Sequence, residues 1–290
     1  YQGFAGEAMS MGERTPLAAL DAPASGRMAV AEAITNLLAA PIELPRVKLS
    51  ANWMAACGEP GEDAALYDTV HAVGMELCPA LGISIPVGKD SLSMRTQWSE
   101  DGQTKKVTSP VSLIISAFAS IADVRGTLTP QLSQADDTSL ILVDLGQGQN
   151  RMGASVLGQV LNQPGDTVPD LDDPQLLRAL VEAVNQLRRA GLILAYNDRS
   201  DGGLLATVCE MAFAGHIGVA LNVDMLVTEG DGISDSRMDT GDSKNWATQI
   251  SARRDELTLK ALFNEELGVV LQVPTPSRNE VMQVLREHGL

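Results

Sequence analysis

Ala195-Tyr196-Asn197-Asp198-Arg199-Ser200-Asp201-Gly202-Gly203-Leu204 is the stretch on which the reading of this chain turns. The apolar run Leu192-Ile193-Leu194-Ala195 predicts a strand over 192–196, and the pattern behind the glycines predicts a helix over 203–214, stopped by Gly215. Two carboxylates, a hydroxyl and paired glycines therefore stand where a strand gives way to a helix. A helix N-terminus offers unpaired N–H groups that favour anions, and hard oxygen ligands suit Mg2+. One reading is a Mg-nucleotide site. The other is an ordinary capped βα turn, with Ser200 or Asp201 as N-cap and the glycines supplying positive φ. The segment alone leaves both open.

Composition narrows the choices. A chain of 290 residues with 44% hydrophobic and 20% charged residues is globular and long enough for two ordinary domains. No segment is long and apolar enough to span a membrane. The formal net charge of −16 argues against nucleic acid or an anionic membrane as partner. Three widely spaced cysteines, Cys57, Cys78 and Cys209, predict buried thiols in a reducing, cytoplasmic setting rather than a disulfide framework. The three histidines, His71, His216 and His288, lack metal-ligand spacing. The opening residues, with Gly3, Gly6, Met9 and Gly12, read as loop, and the start at Tyr1 suggests a piece of something longer.

Periodicity orders the rest. A first helix is expected over 25–39, capped by Ser25, with Val30, Ile34, Leu37 and Leu38 as its stripe. An extended piece over 47–55 follows, then a second helix over 62–78. Residues 82–87 read as a strand that empties into a Gly88-Lys89-Asp90-Ser91 turn, and 111–119 as another strand. Residues 126–138, polar and broken by Pro130, are the candidate linker between domains 1–125 and 139–290. Beyond it come a strand over 140–145 and a helix over 174–190 with Asp173 as cap, Pro174 at its first position and Gly191 as its stop. A strand over 268–273 precedes a last helix headed by a Ser277–Glu280 capping box. The acidic, weakly patterned 226–255 segment reads as a surface insertion. Alternating strands and helices on either side of a linker predict α/β plus α+β architecture.

Several groups could carry chemistry. Glu32 and Asn36, one helical turn apart, could offer two oxygens to a cation, and Asp198 a third ligand. The same pair also fits a solvated helix face, and local pattern does not make the three converge. Lys89 after a strand-end glycine suits contact with an anion, although the spacing excludes a Walker A loop. Gly146-Gln147-Gly148 follows a strand without the dinucleotide fingerprint. Glu265 and Glu266, ahead of a strand, read as surface or turn residues.

Several blocks taken together are more specific. They are Gly26 to Asn36, Lys48 to Ala55, Pro60-Gly61-Glu62-Asp63, Pro86 to Met94, Asp198 to Leu204 and Phe263 to Gly268. In this order they resemble the large bacterial phosphoribosylformylglycinamidine synthase family, across nearly the whole chain except 226–255. The resemblance implies an ATP- and glutamine-dependent ligase of purine synthesis, whose core is two tandem aminoimidazole ribonucleotide synthetase-like repeats. It further implies that this chain is most of the second repeat, without the start of its N-terminal half. By the same resemblance Glu32, Asn36 and Asp198 are Mg2+ ligands, Ser200 is a nucleotide contact, and the site holds a structural Mg-ADP rather than turning over ATP. Asn197 departs from the His often found there. The implied partners are the first repeat and a glutaminase domain, with self-association of this piece through an uncovered apolar face as an expectation. A thiamine-phosphate kinase or selenophosphate synthetase relative is less compatible, for want of a Gly-Asp-Asp-type loop. A scaffold repeat that binds no nucleotide is the other alternative.

Overall fold

The computed structural model describes residues 3–223, 226 and 254–290. The acidic segment expected as an insertion lies, but for its ends, outside the described residues. A first sheet takes strands in the order β1-β6-β2-β3. Strand β1, Gly6–Glu13, runs antiparallel to β6, Ser112–Ile121. Strand β2, Lys48–Met54, lies antiparallel to β6 and parallel to β3, Ser84–Ser91.

The loop expected over the opening residues is thus a strand. Its inward positions are small because helix α1, Ala22–Leu37, packs almost against its backbone. A Cβ on Gly12 would lie 2.2 Å from the Ala29 carbonyl oxygen, and Ser10 Oγ donates to the Ala33 carbonyl at 2.6 Å. Small inward residues hide the alternation that marks a strand. The outward positions carry exposed Met9 and Met11, beside exposed Phe118 of β6.

Helix α1 begins three residues before the expected start. Asp21, not Ser25, is the cap and accepts from Ala24 N; Ser25 Oγ instead donates to the Ala22 carbonyl. The second helix runs as α2, Glu62–His71, a π-helical turn over Ala72–Leu77, and α3, Cys78–Leu81, which Gly82 stops at φ 70°. Strand β3 continues through the expected Gly88–Ser91 turn. Gly88 lets it lie against β2, where a Cβ would come 2.5 Å from the Ala51 carbonyl oxygen, and Lys89 pairs with Asn52. Residues 95–108, not foreseen as structured, form the hairpin β4, Arg95–Glu100, and β5, Gln103–Thr108. Asp101 and Gly102 turn it with φ of 52° and 74°. Glu59 pins its base through Arg95 and Lys106.

The second sheet has the order β7-β9-β8, all antiparallel. It comprises β7, Thr138–Asp144, β8, Ala195–Arg199, and β9, Gly268–Pro274. Strand β8 is shifted three residues from the expected 192–196, so Asp198 lies within it. The helices here are α4, Val156–Val160, α5, Pro174–Arg189, α6, Gly203–Gly215, α7 over 254–263, and α8, Arg278–Glu287. Helix α5 matches its expected signals: Asp173 accepts from Gln175 N at 2.8 Å and Gly191 follows at φ 69°. Neither Ser200 nor Asp201 caps α6; Gly202 does, at φ 80°. The expected Ser277–Glu280 box does not form, because a 3-10 turn over Thr275–Ser277 feeds α8 directly. The glycine turn after β7 is closed by Asp144, whose carboxylate accepts from Gly146 N and Gly148 N.

The two sheets share a core that runs from α1 through α5 to β9. Segment 126–138 is tied to both sides: Leu128 N donates to the Ala39 carbonyl, Tyr196 N donates to the Thr129 carbonyl, and Leu132 is buried against Ala195 and Leu204. Arg188 of α5 donates to the carbonyls of Leu38 and Ala39 at the end of α1. All three cysteines are free thiols, Cys78 buried and the others half-buried. No helix among the described residues is long and apolar enough to cross a membrane.

Candidate functional site

The site forms where α1 crosses β8. Tyr196 and Asp198 are two apart on β8 and share one face. Glu32 and Thr35, one turn apart, share one face of α1. Tyr196 Oη donates to the Thr35 carbonyl at 2.6 Å, entirely buried. That bond fixes the crossing and brings Glu32 within electrostatic reach of Asp198.

Glu32 does not lie on a solvated face. Its Oε2 accepts from Glu13 N at 2.7 Å, at the end of β1. Its Oε1 faces Arg14 Nη1 at 3.9 Å, beyond hydrogen-bond distance. Burial pushes this carboxyl from the ordinary 4.5 up to about 7; Arg14 and the Glu13 N–H oppose the shift, and Asp198 and Asp201 add to it. Burial likewise raises Asp198 from 3.8 to about 6, opposed by its own backbone N–H and by Arg14, and reinforced by Glu210. Asp198 Oδ2 is buried without a hydrogen-bond partner. A buried carboxylate oxygen with no partner is costly in a folded chain.

Asn36 is exposed, and its Nδ2 donates to the Met11 carbonyl at 3.0 Å, which leaves Oδ1 as an acceptor. Ser200 is half-buried in the turn between β8 and α6, and its carbonyl accepts from Gly203 N. Lys89 is exposed on β3, three strand spacings from β1, roughly 14 Å. Its Nζ approaches Ser91 Oγ at 3.5 Å, and no hydrogen bond or ion pair joins it to Glu32 or Asp198.

Two residues that the sequence did not single out as functional complete the cluster. Arg14, just past β1, is buried; its Nη2 donates to Glu265 Oε2 at 3.1 Å and to the Glu265 carbonyl at 3.2 Å. Its Nη1 lies 4.0 Å from Asp201 Oδ1. Glu265, expected at the surface or in a turn, lies in the connection ahead of β9 but is buried, and its Oε1 accepts from Val156 N and Gly202 N at 2.8 and 2.9 Å. Burial raises its pKa, against the pull of Arg14 and the two N–H groups. Glu266 is also buried and accepts from Arg151 with both oxygens. Arg14 and Glu265 are 251 positions apart, so no local spacing reveals them as partners.

These surroundings fit a divalent cation in part. An unpartnered Asp198 Oδ2, a Glu32 Oε1 without a hydrogen bond and a free Asn36 Oδ1 are the hard donors Mg2+ takes. No group of three His, Cys, Asp or Glu side chains among the described residues has metal-holding geometry. A cation here would therefore need an amide oxygen and outside oxygens, such as phosphate and water, to complete its shell.

Comparison with known proteins agrees with this architecture. Residues 1–120 match the profile of the FGAR-AT PurM_N-like domain. Among solved structures, PurLQS from Thermotoga maritima superposes with a TM-score of 0.65 at 14% identity, over 98% of this chain and 39% of that one. T. maritima PurL complexed with FGAR gives 0.64 at 15% identity, over 98% of this chain and 40% of that one. Escherichia coli HypE, a hydrogenase maturation protein, gives 0.57 at 16% identity, over 98% of this chain and 75% of that one. The chain thus spans about two fifths of the PurL chains it resembles, and identities this low speak to the fold alone. The N- and C-terminal halves are those of an AIR synthase-like protein of mixed α/β content. With residues 139–290, more than half of its length, matching the C-terminal domain of AIR synthase related proteins, the chain belongs to that family.

Proposed function

We propose that this chain is a Mg-nucleotide-binding repeat of an ATP- and glutamine-dependent ligase that converts formylglycinamide ribonucleotide to formylglycinamidine ribonucleotide in the cytoplasm. The observation that carries the reading is the buried, unpartnered Oδ2 of Asp198 beside Glu32, at a strand end that leads into a helix N-terminus. Glu32, Asn36 and Asp198 would hold Mg2+, and Ser200 would contact the nucleotide. The cation supplies the positive charge that lets two carboxylates and a polyphosphate share one site. Burial raises the Glu32 and Asp198 carboxyls, so protons would compete with a cation for their oxygens. Arg14 carries a fixed positive charge at the back of the same cluster.

The related structures support the nucleotide: T. maritima PurL has been solved complexed with ATP, with ADP and with FGAR. On the resemblance in the sequence, this chain is proposed to be the second synthetase-like repeat, with ADP held structurally. In that reading the open face of the first sheet, with Met9, Met11 and Phe118, packs on the companion repeat, and a glutaminase domain completes the enzyme. E. coli HypE, three quarters of which this chain covers, favours a second reading, an ATP-dependent family member of other specificity.

Calorimetric titration with ADP, with and without Mg2+, tests the proposal on the chain and on Asp198→Asn. Binding that requires Mg2+ and weakens at least ~tenfold in the variant is expected. Absence of binding, or binding indifferent to Mg2+ and to Asp198, would sink it.

A further inference from the structure

A buried acid outside the ligand set holds the site turn in place. We propose that Glu265 is a positioning residue for the nucleotide site: its carboxylate clamps the 200–202 turn and Arg14 to one platform. This rests on the nucleotide-binding reading above and extends it to a residue that faces away from solvent.

The platform is residues 262–266, between α7 and β9. Gly203, the first residue of α6, is seated on it so closely that a Cβ would lie 2.5 Å from the Asn264 carbonyl oxygen and 2.8 Å from Phe263 C. Gly202, which caps α6 without any side-chain bond, has its N–H satisfied by Glu265 Oε1 at 2.9 Å. The same oxygen takes Val156 N at the start of α4. Its second oxygen takes the Arg14 guanidinium at 3.1 Å. One carboxylate thus joins three segments of chain, two of which carry site groups: the turn holds Ser200, and Arg14 faces Glu32 and Asp201 at 3.9 and 4.0 Å.

Charge and geometry both matter at this position. Both oxygens meet donors only, which a carboxylate can satisfy and a carboxamide cannot. In Glu265→Gln either the two backbone N–H groups or the guanidinium would face an NH2. Without an anion at 265, the remaining acids near Arg14 are Glu32, Asp201 and, more distantly, Asp198. The guanidinium then turns towards the carboxylates that the cation needs, and the turn bearing Ser200 loses its tie.

Glu266 supplies the control. It is as deeply buried and as fully bonded, but its side chain meets Arg151 rather than the turn or Arg14. Three readouts on the wild-type chain, Glu265→Gln and Glu266→Gln separate positioning from general loss of structure: the Kd for ADP with Mg2+, amide hydrogen exchange at Gly202, and the thermal midpoint. Glu265→Gln is expected to raise the Kd about 10- to 100-fold and to speed exchange at Gly202. Glu266→Gln is expected to leave both near wild type even where it lowers the midpoint further. Equal losses of affinity in the two variants, or an unchanged Kd and a protected Gly202 in Glu265→Gln, would overturn the proposal. Should the wild-type chain bind no nucleotide, the function proposed above fails, and exchange at Gly202 still decides whether Glu265 holds the turn. If Glu265→Gln does not fold, Arg14→Lys, which keeps a cation but loses the guanidinium fork, is read by the same measurements and is expected to raise the Kd.

Discussion

Two pairs of acids in this molecule, one buried and one half-buried, end in opposite states. Glu265 and Glu266 are adjacent in sequence, and their carboxylate oxygens meet N–H groups and guanidinium forks. Glu32 and Asp198 come together from distant elements, and each leaves an oxygen without a hydrogen bond: Oε1 of Glu32 faces Arg14 across 3.9 Å and Oδ2 of Asp198 has no partner. Folding supplies partners to the first pair at the expense of nothing else. It withholds them from the second, and burial drives both of its carboxyls upward. A satisfied buried acid is scaffold; an unsatisfied one calls for a reason, and the reason proposed above for Asp198 is a bound cation.

The contrast can be broken at its scaffold end first. Glu266→Ala would strand Arg151 and open space beside Gly146, where a Cβ would now lie 2.7 Å from the Glu266 carboxylate. Removing one partner of a buried ion pair costs about 3 kcal/mol or more. Urea denaturation should show that loss; a change below about 1 kcal/mol would mean that Asp172, the other partner of Arg151, suffices.

The next effect has the opposite sign. A carboxyl raised from 4.5 to about 7 keeps a proton in the folded chain that the unfolded chain has already lost. Stability is then greatest below the ordinary value and declines as pH rises towards about 7. Glu32→Gln removes that titration and keeps an acceptor for Glu13 N. In metal-free buffer at pH 8 it is expected to stabilise the chain by about 1–2 kcal/mol, discounted from the full shift for partial exposure, and to flatten the slope between these values. A destabilised variant with the slope intact would show that Glu32 is scaffold like Glu266.

The smallest effect belongs to Lys89, exposed on the far edge strand. Lys89→Ala should leave stability within about 0.5 kcal/mol. A marked rise in its Kd for Mg-ADP, with stability unchanged, would bring Lys89 into the site after all.

What was legible in the sequence was what short-range physics controls. Helix α5 announces itself by Asp173, Pro174, its apolar stripe and Gly191, because capping and periodicity act within one or two turns. Strand β7 and strand β9 read as apolar runs for the same reason. Strand β1 did not, since its inward Gly6, Ala8, Ser10 and Gly12 are small to admit α1, a demand that only the packed helix makes. Likewise the hairpin of β4 and β5, apolar only at Trp98 and Val107, shows no apolar pattern to detect.

The chemistry divides along the same line. The sequence by itself determined that Ser200 stands between a strand and a helix N-terminus, and that Glu32 and Asn36 lie one helical turn apart, because strand and helix repeats fix such spacings. Only the tertiary structure decided that Glu32 comes within electrostatic reach of Asp198, through the Tyr196–Thr35 bond, and that Glu265 belongs to the interior. The physical reason is separation: Arg14 and Glu265 meet across 251 positions. Whether a carboxylate is satisfied or left wanting depends on donors that only the assembled fold brings near.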